Sequence, residues 1–201
     1  MSKVLYIKAN IKPEGQSRTF RVSDSFIEEY RRLNPEDEII TLDLYKEGID
    51  FLRPEDLAVV FGPKTEESKN HPILKYAYQM AEVDKVVVAA PMWNLGAPAI
   101  LKAYFDYVSV TGITFKYTAE GPVGICNAKK ALIVSGRGGD YSNPITSQFE
   151  MGEKYTRAIL SFFGIKDIKS VAAESLDVMG IDVDKVVTDT IEEAKEIAKD
   201  F

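Results

Sequence analysis

The 201-residue chain has a globular composition, with 45% apolar and 28% charged residues, which argues against intrinsic disorder. This length suits one domain with a full hydrophobic core, so we expect residues 1–201 to form a single domain. The net charge of −6 and the lack of any basic block argue against a partner such as nucleic acid or an anionic membrane.

Histidine and cysteine are too scarce for several kinds of active site. A single cysteine, Cys126, excludes an internal disulfide and a multi-thiolate metal site, and we interpret it as an incidental thiol. A single histidine, His71, argues against a catalytic triad and a histidine-rich metal site. We therefore expect no metal and no obligatory catalytic side chain, and infer that a cofactor carries the chemistry if the protein is an enzyme.

The amino-terminal sequence MSKVLYIKAN enters a strand pattern at once, and its apolar run is too short for a signal peptide. No apolar stretch reaches the length that spans a bilayer. These features predict a cytoplasmic protein.

Apolar strands alternate with amphipathic helices along the chain, while residues 45–67 show no clear pattern. Continuous apolar strands between helices predict a three-layer α/β sandwich, in which helices cover both faces of a parallel sheet. With right-handed crossovers, five strands favour the order 2-1-3-4-5 of the flavodoxin-like fold. The predicted strands are 3–8, 38–44, 85–90, 130–135 and 167–173, and the predicted helices are 17–34, 72–82, 98–109, 144–163 and 182–200.

Ligands of such sheets bind beyond the carboxyl ends of the strands, here between the first and third strands. The loop after the first strand ends in Ser17-Arg18-Thr19, at a predicted helix N-terminus. Free N–H groups, hydroxyls and a guanidinium at this place favour a phosphate. The alternative is that Ser17 only caps the helix and Arg18 is an ordinary surface residue.

Two further loops at the same edge have unusual composition. The loop after the third strand carries the only tryptophan, Trp93, next to Asn94, whose amide suits the edge of a heterocycle. The loop after the fourth strand contains Gly136-Arg137-Gly138-Gly139, and glycines allow close approach of a planar ligand. The alternatives are that Trp93 fills a gap in the core and that the glycines form a tight turn.

A phosphate site on the first loop and flat-ring contacts on the other two indicate a mononucleotide across the crevice. FMN fits this description. ATP or GTP would need phosphate and Mg²⁺ ligands that the sequence does not offer, because neither GxxxxGK[ST] nor GxGxxG is present.

Three stretches give the chain a more specific likeness: APMWNLGAPAILKAYFDYV (90–108), GITFKYTAEGPVG (112–124) and GRGG (136–139). With them, the chain resembles the FMN-dependent NADH-azoreductases, which also act as NAD(P)H:quinone oxidoreductases. The resemblance implies non-covalent FMN, with phosphate contacts from the first loop and ring contacts from the other two. The residues implied are Asn10, Ser17, Arg18, Thr19, Met92, Trp93, Asn94, Leu95, Gly136, Arg137, Gly138 and Gly139.

The resemblance also implies the activity and the assembly. NADH or NADPH would donate a hydride, and a quinone or an aromatic azo compound would then take the electrons at the same place, in a ping-pong order. The implied assembly is a homodimer in which the partner roofs the active site. Helix 98–109 is apolar on more than one face, which fits either a dimer interface or deep burial in one chain.

Aromatic residues near the second half of the chain are candidates for the substrate pocket. Tyr117 follows the 98–109 helix in a short extended segment, and Phe162 ends the predicted fourth helix. Packing of a hairpin or of the core is the alternative for each. A positive charge on Arg137, or the N–H groups of Gly138 and Gly139, are our candidates for stabilising the reduced flavin.

Two other functions are compatible with the same fold. A flavodoxin-type electron carrier would bind FMN without oxidising NAD(P)H itself, but its T-x-T-G-x-T loop is absent. A receiver-like signalling domain needs acidic residues at the end of the first strand, where this chain has Ala9-Asn10.

Overall fold

The computed structural model describes residues 1–13 and 15–201. Five strands form one parallel sheet: β1 (Lys3–Lys8), β2 (Glu38–Asp43), β3 (Lys85–Ala89), β6 (Lys130–Gly136) and β7 (Asp167–Ala173). Their order in the sheet is β2-β1-β3-β6-β7, which is the predicted order 2-1-3-4-5. The flavodoxin-like fold prediction is therefore confirmed.

Helices cover both faces of the sheet, and a small antiparallel hairpin of β4 (Phe115–Thr118) and β5 (Gly121–Gly124) stands apart from it. The helices are α1 (Arg18–Leu33), α2 (Leu57–Phe61), α3 (Leu74–Glu82), α4 (Ala99–Val108), α5 (Gly152–Phe162) and α6 (Val183–Ala198). Single 3₁₀ turns occupy 54–56, 66–70 and 147–149.

Alternate residues of the central strands point to opposite faces of the sheet and belong to two separate hydrophobic cores. On one face, Val4 and Tyr6 of β1 pack with α1 and α6. On the other face, Leu5 and Ile7 of the same strand pack with α3, α4 and α5. Burial on both faces explains why these strands are continuously apolar in sequence.

The prediction of a single helix over 144–163 is wrong in its first part. Asn143 accepts hydrogen bonds from the N–H groups of Ile145 and Thr146, both at 3.1 Å, and this side chain holds a turn instead. The carboxylate of Glu150 then accepts from the N–H of Glu153 at 2.8 Å, which caps a new helix. As a result, α5 begins only at Gly152.

Helix α4 is explained by burial within its own chain. Six of its ten residues are buried: Leu101, Ala103, Tyr104, Phe105, Tyr107 and Val108. Only Ala99 and Lys102 are exposed. The several apolar faces of this helix therefore follow from its packing against α3 and the sheet, and they give no separate evidence for a partner.

Candidate functional site

An open cleft of about 110 Å³ lies at the carboxyl ends of β1, β3 and β6. The three predicted loops converge there, namely the first loop after β1, the second loop after β3 and the glycine loop after β6, and we call this cleft the three-loop cleft. Of the predicted cofactor residues, the cleft is lined by Asn10, Arg18, Thr19, Met92, Trp93, Gly136, Arg137 and Gly138. Four others lie beside it or behind it in the same loops: Ser17, Asn94, Leu95 and Gly139.

The first loop is organised around the start of α1. Ser17 is buried, and its hydroxyl accepts hydrogen bonds from the Phe20 N–H at 3.1 Å and from Asn10 Nδ2 at 2.8 Å. Ser17 is thus the helix N-cap. The N–H groups of Arg18 and Thr19 fall in the first turn, where they have no partner within the helix, so they remain available to an anion.

Arg18 is not a free cation. Its Nη1 donates to the carbonyl of Leu176 and to Asp177 Oδ1, both at 2.9 Å. The negative charge of Asp177, which lines the same cleft, therefore opposes the attraction of Arg18 for a phosphate. The helix N-terminus consequently provides the more favourable part of the phosphate site.

The second loop contains a tight turn. The N–H of Trp93 donates to the Gly96 carbonyl at 2.8 Å, and the N–H of Gly96 donates back at 3.0 Å. Asn94 and Leu95 between them have positive φ angles of 49° and 69°. Such angles cost energy for residues other than glycine, and they often occur at functional sites. The turn leaves Trp93 half-buried and exposes Asn94 and Leu95.

The backbone of the glycine loop lies close to the side chains of Thr19 and Asp177. A Cβ on Gly136 would lie 2.7 Å from Thr19 Oγ1, and one on Gly138 would lie 2.6 Å from Asp177 Oδ2. The N–H groups of Gly138 and Gly139 donate to no described residue. They remain available to a ligand with carbonyl or ring-nitrogen acceptors.

Arg137 in this loop is enclosed by carboxylates. Its side chain is 7% exposed, with Nη1 at 2.6 Å from Glu174, Nη2 at 2.8 Å from Glu153 and Nη2 at 3.8 Å from Glu150. Burial by itself would lower the pKa of Arg137, but the hydrogen bond to Glu174 and the charges of Glu150 and Glu174 outweigh it and raise the pKa. The guanidinium is therefore permanently charged, and its charge is already balanced by its neighbours.

These groups fit FMN as a ligand. A phosphate would be held by the N–H groups that begin α1. A flat ring would have Met92 and Trp93 on the second loop and the free N–H groups of the glycine loop along its polar edge. The charge of Arg137 is committed to its carboxylates, so the N–H groups are the better candidates for stabilising negative charge on the ring.

Tyr117 and Phe162 lie away from this cleft. Tyr117 lies on the hairpin and is 70% exposed. The ring of Phe115 packs between the two residues, with its centroid 5.6 Å from that of Tyr117 and 4.6 Å from that of Phe162. Phe162 ends α5, whereas the first residue of α5, Gly152, packs against Gly96 of the second loop. A helix of this length rises about 15 Å, so Phe162 lies about that far along α5 from the second loop.

A larger cleft of about 290 Å³ adjoins the first loop on its β2 side. It shares Asn10 and Lys12 with the smaller cleft but has no residue of the second or third loop. Inside it, Lys8 Nζ pairs with Asp24 at 2.8 Å. This cleft is larger than the one between the three loops, but it lacks the ring contacts that the three-loop cleft provides.

Sequence reasoning missed the segment after β7. Leu176 and Asp177 line the three-loop cleft, and Glu174 binds Arg137. The predicted strand order could have indicated this segment, because β7 lies next to β6 and the two strands end at the same edge of the sheet. Lys12, also in the cleft, was missed because a single lysine in a polar loop has no distinctive pattern.

Cys126 is buried, and burial raises the pKa of its thiol to about 12. This thiol is protonated at neutral pH and is a poor nucleophile, which agrees with its interpretation as incidental. Among the described residues, no helix combines the length and the apolar character needed to cross a membrane.

The parallel sheet, its strand order and the ligand cleft at the switch point define a flavodoxin-like protein. A family model described as flavodoxin-like fold matches residues 2–198. A protein of Clostridium perfringens named FMN-dependent NADH:quinone oxidoreductase is 68% identical over 201 residues, which is 100% of both chains. One of the same name from Caldicellulosiruptor saccharolyticus is 56% identical over the same full length.

Solved structures agree. An azoreductase from Bacillus anthracis str. Sterne has a TM-score of 0.89 and 35% identity, covering 100% of both chains. An FMN-dependent NADH-azoreductase from Bacillus anthracis str. Ames Ancestor, solved in complex with FMN, has a TM-score of 0.84 and 27% identity, covering 100% of this chain and 99% of the other. The chain belongs to the flavodoxin-like family of FMN-dependent NADH:quinone oxidoreductases and azoreductases, as its motifs predicted.

Proposed function

We propose that the protein is an FMN-dependent oxidoreductase that takes a hydride from NADH or NADPH and reduces quinones and aromatic azo compounds in a ping-pong order. The observation that carries this proposal is the 68% identity, over the whole chain, to a protein named for NADH and quinone. The azoreductase neighbours support the azo substrates. Because the relatives are named for NADH, we expect NADH to be the preferred donor.

Bound FMN would supply the two-electron chemistry of such a reaction. The residues of the chain would bind and orient it. The N-terminus of α1 would hold the phosphate, and Met92 with Trp93 would shield the ring from water. The glycine loop would offer N–H donors where electron density increases on reduction.

The placement of Tyr117 and Phe162 supports a homodimer as part of the proposal. Phe162 lies at the far end of α5 from its own cleft, and Tyr117 lies near it on the hairpin, so both would contact substrate in the cleft of a partner. Exposed apolar side chains occur around the second loop and on the hairpin, and burying them would favour association: Leu95, Tyr117, Val123, Ile145, Phe149 and Met151. Sedimentation equilibrium should give twice the chain mass, and a monomer at micromolar concentration would contradict this part.

The activity is tested by mixing the FMN-loaded protein with one equivalent of NADH without oxygen. We expect the visible absorbance of the flavin to disappear rapidly and to return when a benzoquinone or an azo dye is added. Steady-state rates at several quinone concentrations should give parallel double-reciprocal lines, because donor and acceptor use one place in turn. A flavin that NADH does not bleach would indicate an electron carrier and would refute the proposed activity.

A further inference from the structure

The segment that follows β7, residues 174–177, fixes the glycine loop through its backbone. We call it the β7–α6 clamp. The carbonyl oxygens of Arg137, Gly138 and Gly139 accept hydrogen bonds from the N–H groups of Leu176, Asp177 and Ser175 at 3.0, 2.9 and 2.9 Å. Three consecutive carbonyls of the loop therefore all face the clamp.

This arrangement determines where the N–H groups of the loop point. In a planar trans peptide, the C=O of one residue and the N–H of the next point in opposite directions. Because the carbonyls of residues 137–139 face the clamp, the N–H groups of Gly138, Gly139 and Asp140 face away from it. None of these three donates to another described residue. They form a row of donors that begins at Gly138, which lines the three-loop cleft, and continues along the same loop.

Glu174 holds both ends of this loop. Its Oε1 accepts from Arg137 Nη1 at 2.6 Å, and its Oε2 accepts from the Tyr141 N–H at 2.7 Å. The two contacts span the residues that carry the donor row. Arg137 is in turn bound to Glu153 at the start of α5, so the loop is fixed to two elements. The next residue, Ser175, has a φ of 60°, an angle uncommon outside glycine that shapes the clamp.

We propose that Glu174 is a positioning residue that keeps the N–H row of residues 138–140 directed at the flavin ring. The inference rests on the proposed function, since it requires FMN in the cleft. A fixed row of donors binds the ring and stabilises the electron-rich reduced form more than the oxidised form. Glu174 therefore increases FMN affinity and makes the midpoint potential of bound FMN less negative, although its own charge acts in the opposite sense.

Positioning of the N–H row and the negative charge of Glu174 shift the midpoint potential in opposite directions, so two variants can distinguish them. Glu174→Gln removes the charge and replaces one acceptor oxygen by a donor that faces Arg137 or the Tyr141 N–H. Glu174→Asp keeps the charge, but its side chain is one methylene too short to reach both partners. We expect both variants to weaken FMN binding at least tenfold and to make the midpoint potential more negative. Glu193→Gln, on the exposed face of α6, is the matched charge control and should equal wild type.

The measurements are FMN titration of the apoproteins, potentiometry of the FMN-loaded proteins and thermal unfolding of the apoproteins. If Glu174→Gln raises the potential while Glu174→Asp equals wild type, Glu174 acts only as a charge, and the inference is overturned. Equal FMN affinity in all proteins also overturns it. If Glu174→Gln does not fold, Glu174→Asp alone decides. A wild-type protein that binds no FMN refutes the proposed function instead.

Discussion

Replacing Arg137 by Met lowers the free energy of unfolding by about 3–5 kcal/mol at neutral pH, because it leaves a group of carboxylates without their central cation. The guanidinium is 7% exposed and lies within 2.8 Å of Glu153 and Glu174. Glu150, also buried, lies 3.8 Å away. Urea unfolding of the apoprotein measures the loss, free of any contribution from FMN.

The effect of Arg137→Met should depend on pH. The pKa of Glu153 is lowered: burial raises it, but hydrogen bonds from Arg157, Ser170 and Arg137 outweigh the burial. A carboxyl whose pKa is lower in the folded state than in the unfolded state stabilises the fold at pH values above the unfolded pKa, here 4.5. This stabilisation is lost as the pH falls from there through the folded pKa. In the variant, protonation instead relieves the uncompensated carboxylates. The difference between wild type and variant should therefore be largest at neutral pH and shrink below about pH 4.5.

Arg21→Met is the matched control for this prediction. Arg21 pairs with Asp184 at 3.0 Å, but the two side chains are 42% and 84% exposed. An exposed pair of this kind contributes about 1 kcal/mol or less, so the control should unfold almost as wild type does. A loss for Arg137→Met as small as this, or one that does not change with pH, would contradict the enclosed ion-pair account.

Replacing Gly124 by Ala lowers the free energy of unfolding by about 3 kcal/mol, because the added methyl group meets backbone that cannot rotate away. A Cβ at Gly124 would lie 2.1 Å from both Gly164 N and Phe163 C. These atoms directly follow the end of α5, so the hairpin of β4 and β5 would have to move away from that end of the helix. Tyr117 and its contact with Phe115 would move with it.

Thermal unfolding tests the Gly124→Ala prediction, with Gly96→Ala as the control. At Gly96 the nearest atom to an added Cβ is the Trp93 carbonyl oxygen at 4.0 Å, which is ordinary contact. Gly96→Ala should change the unfolding temperature little. Equal unfolding temperatures for the two variants would show that the hairpin does not pack on α5 as described.

The local pattern of apolar and polar residues in the sequence was sufficient to predict most of the strands and helices. The strands could be predicted because burial on both faces makes them continuously apolar, and α1 because Ser17 caps it. The start of α5 could not, because it depends on Asn143 and Glu150 binding backbone N–H groups in preference to a continuous helix. Residues 45–67 form only short turns and the five-residue α2, which have too few residues to show a period.

The candidate site could be located from topology, but its electrostatics could not be predicted. Strand order brings the first, second and glycine loops to one edge, and the structure places them around one cleft. The partners of Arg137 come from residues 150, 153 and 174, which are distant in sequence and meet only through packing. For this reason we propose the N–H row of the glycine loop, rather than Arg137, as the group that stabilises reduced flavin.

The central claim is that FMN binds in the three-loop cleft, and amide hydrogen exchange with and without FMN tests it most directly. The account predicts that FMN slows exchange in residues 15–20, 92–96 and 137–141. It predicts no change at residues 41–46, which line the larger cleft beside β2. Protection confined to residues 41–46, or no protection at saturating FMN, would contradict the account.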